Sequence, residues 1–277
     1  MNPRISVVVA ARDSGARTTN ALRAIQTEVQ GLTAELIVVA PAGSSEARQA
    51  SLLGRVLTVE GDPSAPELWR VGIVASHGEL VVTTVSGCTP SPGWLAALIG
   101  ALGPDAAAAG GSFRLGSRRA TVAAVYFLRY SPYQLPFDRH DADEVPGDNA
   151  VYRRSAIDAV AGSWRDGFWE NEVNVALRTR GERLQLDPRP VTTLVTAGGF
   201  FVFCRQRFRH GVRFGEWRGG RWRALLAPVG MARFLLRITS RVRPGDRGLY
   251  LQSLVVLKLY LVCWTAGEVV GLLRGRR

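Results

Sequence analysis

Asp138, His140, Asp141, Asp143 and Glu144 form the densest group of metal-ligating side chains in this sequence. Carboxylates with one imidazole could recruit a divalent ion from a loop, and the same composition also describes solvated charge. The three cysteines, Cys88, Cys204 and Cys263, are odd in number, far apart and without a Cys-x-x-Cys spacing. A zinc site or disulfide framework is therefore not expected, and a reducing cytosolic setting is. Glu170 and Glu172 open a stretch of helical spacing, where a carboxylate favours the positive end of the helix dipole.

These groups need a scaffold, and the apolar periodicity describes one. Short Val/Ile-rich runs at Ile5–Ala11, Glu35–Ala40, Leu57–Glu60 and Leu80–Val85 alternate with helix-compatible stretches at 18–30 and 66–77. Strands buried on both faces and joined by helical crossovers predict an open, mostly parallel α/β sheet with helices on both faces. Pro90 and Pro92 stop the fourth strand, and Trp94–Leu102 reads as a helix closed by Gly103-Pro104. Downstream come a short strand near residues 110–113, an apolar helix at 120–129, a long loop at 131–148, a helix containing Val173, Ala176 and Leu177, and a short strand at 184–187. Ligands of such sheets sit at the carboxyl ends of the strands, so residues 11–15, 40–45 and 86–89 should border one crevice. The apolar run at Ile5–Ala11 is too short for a signal peptide and reads as a buried strand.

The 277-residue chain carries a net charge of +12, and it is unevenly spread. Residues 205–277 hold fifteen arginines and Lys258 against Glu216, Asp246 and Glu268, whereas the part before them is close to neutral. Two apolar stretches, 222–239 and 249–273, lie within that basic tail. Basic residues interleaved with apolar runs predict contact with an anionic membrane surface and not with nucleic acid. Lys258 and Glu268 interrupt the second stretch, and each would cost about 3 kcal/mol at mid-bilayer, so an interfacial or re-entrant helical pair is expected in preference to a simple span. The expected division is a sheet domain over 1–218 and a membrane-associating tail over 219–277.

Several separated motifs, in this order, resemble the family 2 glycosyltransferases of the GT-A fold over roughly residues 3–218. They are the strand Ile5 to Ala11 running into Arg12-Asp13, Gly78-Glu79 followed by Pro90-Ser91-Pro92-Gly93-Trp94-Leu95, and Gly147-Asp148-Asn149-Ala150-Val151-Tyr152-Arg153-Arg154. Trp169-Glu170-Asn171-Glu172, Leu177 to Gly181 and the segment Arg205 to Gly211 complete the series. The resemblance implies an inverting transfer of sugar from a nucleotide-sugar donor to a lipid-linked, polysaccharide or otherwise membrane-near acceptor, at the cytoplasmic face of the cell membrane. Glu170 then matches the base that deprotonates the acceptor hydroxyl, with Glu172 as the alternate. Ala11, Arg12, Asp13, Ser86 and Gly87 fall on the donor side, while Asn149, Arg153 and Trp169 fall on the acceptor side. Asp13 could meet the nucleobase, replace a lost metal ligand, or merely cap the turn.

The departures from the family pattern lie where a metal and a diphosphate would bind. Val85-Ser86-Gly87 stand where the family has Asp-x-Asp, Ala40-Pro41 follow the second strand in place of an acidic residue, and Trp69-Arg70-Val71-Gly72 replaces Arg-Asn-x-Gly. Magnesium or manganese remains conceivable but is unsupported at 85–87, since a hard cation needs oxygen ligands. No cofactor and no metal residue is therefore assigned. Arg205, Arg207 and Arg209 could neutralise the leaving diphosphate in its place, or form a basic stripe beside the membrane. A catalytically silent GT-A module that binds a glycan, nucleotide or protein at the membrane is the rival expectation.

Overall fold

The computed structural model describes residues 4–275. In chain order the elements are β1 (Ile5–Ala10), α1 (Thr18–Val29), β2 (Ala34–Pro41), α2 (Ser45–Ala50), β3 (Arg55–Val59), α3 (Ala65–Val74), β4 (Leu80–Val85), β5 (Cys88–Pro90), α4 (Trp94–Ala101), β6 (Ala106–Leu115) and α5 (Ala120–Tyr130). There follow β7 (His140–Asp141), β8 (Asn149–Arg153), α6 (Arg154–Asp158), α7 (Glu170–Thr179), β9 (Arg183–Leu194), α8 (Phe200–Arg218), α9 (Ala227–Ser240) and α10 (Arg247–Arg274). Two compact units arise: residues 1–116 with 133–196, and residues 117–132 with 197–277. The boundary expected from sequence, residue 218, is the last residue of α8.

The first unit is a mixed sheet in the order β3-β2-β1-β4-β8-β6-β9-β5, with β7 added beside β9. β1 lies between β2 and β4, parallel to both, and all six of its residues are buried. A strand covered on both faces has no polar side, which is why Ile5–Ala10 reads as an almost continuous apolar run. On one face Val7, Val9, Val38 and Val82 pack with Leu22 and Ile25 of α1 and Leu95 and Leu98 of α4. On the other face α3 comes so close that a β-carbon on Gly72 would overlap the Val8 side chain and lie 3.0 Å from Val39 Cγ2. At the amino end of α4, the Glu28 carboxylate accepts from the backbone N–H groups of Gly93 and Leu95 at 2.9 and 3.0 Å, satisfying donors that a helix start leaves open.

The part of the sheet beyond β4, where β6 and β9 pair in parallel and β8, β5 and β7 join antiparallel, is larger than its sequence pattern suggests. β6 runs ten residues and β9 twelve, where only short strands are expected near 110–113 and 184–187. Alanine and glycine dominate β6 and prolines punctuate β9, and both compositions disguise strands whose pairing is decided by neighbours. The long loop holds β7, which adds His140 and Asp141 to the edge of β9.

The second unit is built on α8 and α10, which run parallel. β-Carbons on Gly211 and Gly215 of α8 would overlap the backbone of α10 at Trp264 and Glu268, and those on Gly267 and Gly271 of α10 would overlap Phe208 and Val212 of α8. Two Gly-x-x-x-Gly repeats thus face each other with their backbones in contact, the packing that small residues allow. Glu268 is buried in this seam and pairs with Arg218 at 2.9 Å. Within the seam Cys204 and Cys263, distant along the chain, share a hydrogen bond as free thiols. α5 also packs against α10, with Phe127 and Tyr250 edge-to-face at 5.2 Å. Residues 221–226 form a 3-10 turn in place of the start of the helix expected at 222–239. Among the described residues one helix, Pro244–Arg274, is long and apolar enough to cross a membrane by length and composition.

Gly72→Ala tests the close approach of α3. Overpacking at Val8 should cost about 1–3 kcal/mol, seen as a lower denaturant midpoint at unchanged slope. An unchanged midpoint would mean that helix and sheet separate without penalty.

Candidate functional site

Ser14 and Ser86 meet at the carboxyl ends of β1 and β4, and α2 adjoins them through Glu46. The backbone N–H of Ser86 donates to the Ala10 carbonyl, and the Ser86 and Ser14 hydroxyls lie 2.6 Å apart, both buried. Glu46, just beyond the expected 40–45 segment, turns its carboxylate back to accept from the N–H groups of Ser14 and Gly15 at 3.1 and 2.9 Å. Burial alone would raise the Glu46 carboxyl, but the Gly15 N–H, the Ser45 hydroxyl and the Ser14 N–H outweigh it and hold the group below its ordinary range. Gln49 adds a donor to the Gly15 carbonyl. The turn that follows β1 is thereby pinned by α2.

That turn settles the placement of Arg12 and Asp13. Asp13 adopts a left-handed backbone (φ +57°), a conformation aspartate tolerates better than most residues. Its carboxylate meets Arg12 Nε at 2.5 Å, and Arg12 continues to Asp62 Oδ1 at 3.1 Å and to the Pro63 carbonyl. No helix is capped by Asp13: the residues flanking the first 3-10 turn and α1 are Ser14 and Arg17. Ala11, Ser86 and Gly87 are buried beneath this arrangement, and Gly87 approaches the backbone of Thr196 so closely that its β-carbon would lie 2.7 Å from the Thr196 oxygen.

Glu170 stands beside the end of β4. The Trp69 indole on α3 donates to the Thr84 carbonyl at 2.8 Å, and the Thr83 hydroxyl donates to the Gly147 carbonyl at 2.6 Å. A β-carbon on Gly147 would lie 3.0 Å from the Trp69 ring and 3.2 Å from the Glu170 β-carbon, so these three residues are packed together. Glu170 is the first residue of α7 and is half-buried; Glu172, also half-buried, follows two positions on, where a helix turns it to a different side. Trp169 flanks the helix start, with its indole Nε1 2.8 Å from a β-carbon built on Gly167. Below them, burial first and then the charges of Glu170 and Asp148 push the Tyr152 phenol well above its ordinary value. Asp148 and Trp69 fall within motifs legible in the sequence but carry no assigned role there, and Glu46 stands out in none, because the contacts that place them join segments far apart in the chain.

Two residues expected on the acceptor side serve the fold. Asn149 is fully buried: it accepts from the Trp94 indole at 2.7 Å and donates to the carbonyls of Ser112 and Pro190 at 3.1 and 3.0 Å. Arg153 pairs in register with Leu80, whereas Asn149 pairs with Thr84, so Arg153 lies at the opposite end of β4, about 13 Å from the crevice at strand rise. Its guanidinium binds the carbonyls of Ala106, Gly103 and Pro104. Arg205, Arg207 and Arg209 lie on α8 in the second unit, where Arg207 covers the Phe203 ring and contacts His210 Nδ1 at 2.7 Å.

The residues at the end of β4 do not suit a hard divalent ion. Val85 and Gly87 carry no side-chain oxygen, and the Ser86 hydroxyl is engaged with Ser14. In the acid-rich loop Asp141 is held by Arg183 at 2.8 Å and Asp143 by Arg178 at 2.8 Å, and no group of three ligating side chains occurs among the described residues.

No protein-family model matches the chain, and no curated protein does. Solved structures do. The mannosyltransferase PcManGT from Pyrobaculum calidifontis, in complex with GDP-Man and Mn2+, aligns over 97% of this chain and 87% of its own, with 17% identity and a TM-score of 0.60. A mycobacterial protein aligns over 73% and 71%, at 21% identity and TM-score 0.53. S. aureus TarS 1-349, in complex with UDP-GlcNAc, aligns over 97% and 90%, at 11% identity and TM-score 0.50. The chain has a mixed α/β, GT-A fold, matching that of the mannosyltransferase.

Glu46 gives the site a pH signature. Its carboxyl is depressed in the folded state, so its contribution is present above the unfolded value near ~4.3 and is lost as pH falls through the folded one. Glu46→Ala should cost roughly 2 kcal/mol at neutral pH by stranding two N–H donors, and the gap from the parent should narrow in acid titration below pH ~4. A gap independent of pH would assign the loss to packing alone.

Proposed function

We propose that this protein is an inverting glycosyltransferase that moves a sugar from a nucleoside diphosphate sugar to a hydroxyl of a lipid-linked or other membrane-near acceptor. The observation that carries the reading is the position of Glu170: a carboxylate on the first turn of α7, against Gly147 and Trp69, beside the carboxyl end of β4. The GT-A architecture and the donors held by similar structures, GDP-Man and UDP-GlcNAc, support the donor class. Membership of family 2 belongs to the same proposal, on the motifs from Ile5 to Gly211.

In this mechanism Glu170 takes the proton of the acceptor hydroxyl as its oxygen attacks the anomeric carbon. The new carbon–oxygen bond forms opposite the bond to the diphosphate, which breaks, and configuration inverts. Arg12 and Asp13 border the donor, with Arg12 held by Asp13 and Asp62. On their chemistry alone, Arg205, Arg207 and Arg209 are proposed either to neutralise the leaving diphosphate in place of a metal or to form a basic stripe beside the membrane. No step is routed through a cation.

The second reading, a silent GT-A module that binds a glycan, nucleotide or partner, is favoured by one observation. The hydroxyl at the position of the lost Asp-x-Asp is occupied by Ser14.

Residues 219–277 are proposed as the membrane-associating part, at the cytoplasmic face. Exposed Phe201, Trp222, Leu225 and Leu236 lie among arginines at 205, 221, 223, 233 and 237, which supports an interfacial arrangement on anionic lipid. A cut at 218 would leave Gly211 and Gly215 of α8 without α10, so membrane attachment is better tested on the full chain.

The deciding experiment is a donor-hydrolysis and binding screen across nucleotide sugars, with and without manganese. Glu170→Gln should retain donor binding and lower turnover by about 10²–10⁴ fold. Turnover near that of the parent would remove Glu170 from the mechanism, and no turnover with any donor despite tight nucleotide binding would favour the silent module. Binding should survive excess chelator; a strict manganese requirement would overturn the metal-free account. Full-length protein should co-sediment with phosphatidylglycerol vesicles and stay bound in high salt, since apolar contacts contribute alongside charge. Release by salt alone would reduce the tail to a purely electrostatic contact.

A further inference from the structure

The parallel α8–α10 seam repeats every four residues. Phe208 faces Gly267 and Val212 faces Gly271. One turn earlier on both helices stand Cys204 and Cys263, which share a hydrogen bond and are both half-exposed free thiols. Tyr260 closes the same end, with its ring 4.6 Å from that of Phe203 and 5.5 Å from that of Phe200. Gly267, four residues beyond Cys263, touches the backbone of Phe208, four residues beyond Cys204, and a disulfide needs α-carbons roughly 4.4–6.8 Å apart.

We propose that Cys204 and Cys263 are a reversible redox pair, oxidised by a low-molecular-weight disulfide to an intrachain disulfide that clasps the start of α8 to α10. One cysteine thiolate attacks a sulfur of the small disulfide, forming a mixed disulfide and expelling one thiolate. The second cysteine attacks the cysteine sulfur of that mixed disulfide and expels the other. The two thiols lose two electrons and two protons, and the small disulfide becomes two thiols. The cross-link closes a loop of about 60 residues, long enough to remove substantial freedom from the unfolded chain. It also fixes the residue next to Arg205 and one turn from Arg207. The inference stands on the helix seam and is independent of sugar transfer.

Full-length protein is equilibrated with excess oxidised glutathione, quenched by acid, and alkylated after denaturation. Cys204 and Cys263 should both be protected, the two peptides should be recovered joined and lighter by two hydrogens, and the thermal midpoint should rise by several degrees and return on reduction. Cys88, fully buried in the other unit, is the internal reference. Cys204→Ser and Cys263→Ser should each leave the remaining cysteine as a glutathione adduct with no rise in midpoint. Continued alkylation of both cysteines in the oxidised parent, separate glutathione adducts on each, or a disulfide between two chains would overturn the proposal.

Discussion

The sheet unit depends on how closely α3 approaches the central strands. Gly72 is the reason it can: any side chain there would occupy the space of Val8. That approach brings Trp69, one turn earlier, within hydrogen-bond reach of the Thr84 carbonyl at the end of β4. The indole then forms one wall of the packing around Gly147, whose other neighbour is Glu170. A helix–sheet distance set by one missing β-carbon thus propagates to the position of the candidate base. Glu67 on the same helix closes a capping box with Ser64, so the start of α3 is fixed as well.

Charge at the strand ends is matched inside the protein. Arg12 is shared between Asp13 and Asp62, and Glu46 is satisfied by two backbone donors and a hydroxyl. Such pairing keeps charged groups beneath an open surface without the penalty of isolated burial. Carboxylates at 85–87 would join Asp13 and Glu46 and repel them. The Ser14–Ser86 hydroxyl pair keeps that place neutral.

The helical unit follows a different rule. Its central pair is held by backbone contact at four glycines, by one buried ion pair, Glu268 with Arg218, and by ring contacts of Phe203 with Tyr260 and of Phe214 with Trp264. Close helix packing of this type works where water is scarce or where neighbours cover the pair, because van der Waals contact and carbonyl proximity replace hydrophobic area. Other large apolar side chains of this unit are turned outward, with Phe201 83% and Leu225 84% exposed. Glu268, read as an interruption of an apolar stretch, is instead the partner that α8 requires.

What the sequence alone determined is the part dictated by local pattern. The four parallel strands, α1, α3, α4 and α5 were legible because burial on both faces leaves apolar runs, and because prolines and glycines end elements where they stand. The GT-A architecture was legible from the order of motifs, and so was the absence of a carboxylate at 85–87. The full lengths of β6 and β9 were not, since alanine, glycine and proline have no strand pattern of their own. Tertiary structure decided where the motif residues lie: Glu170 was brought to Gly147, while antiparallel pairing of β8 carried Arg153 to the far end of β4 and buried Asn149 among Trp94, Ser112 and Pro190. It also decided that Glu46 closes the turn after β1 and that Cys204 meets Cys263. These are contacts between residues tens of positions apart, fixed by strand register and helix seam, and local periodicity carries no information about either.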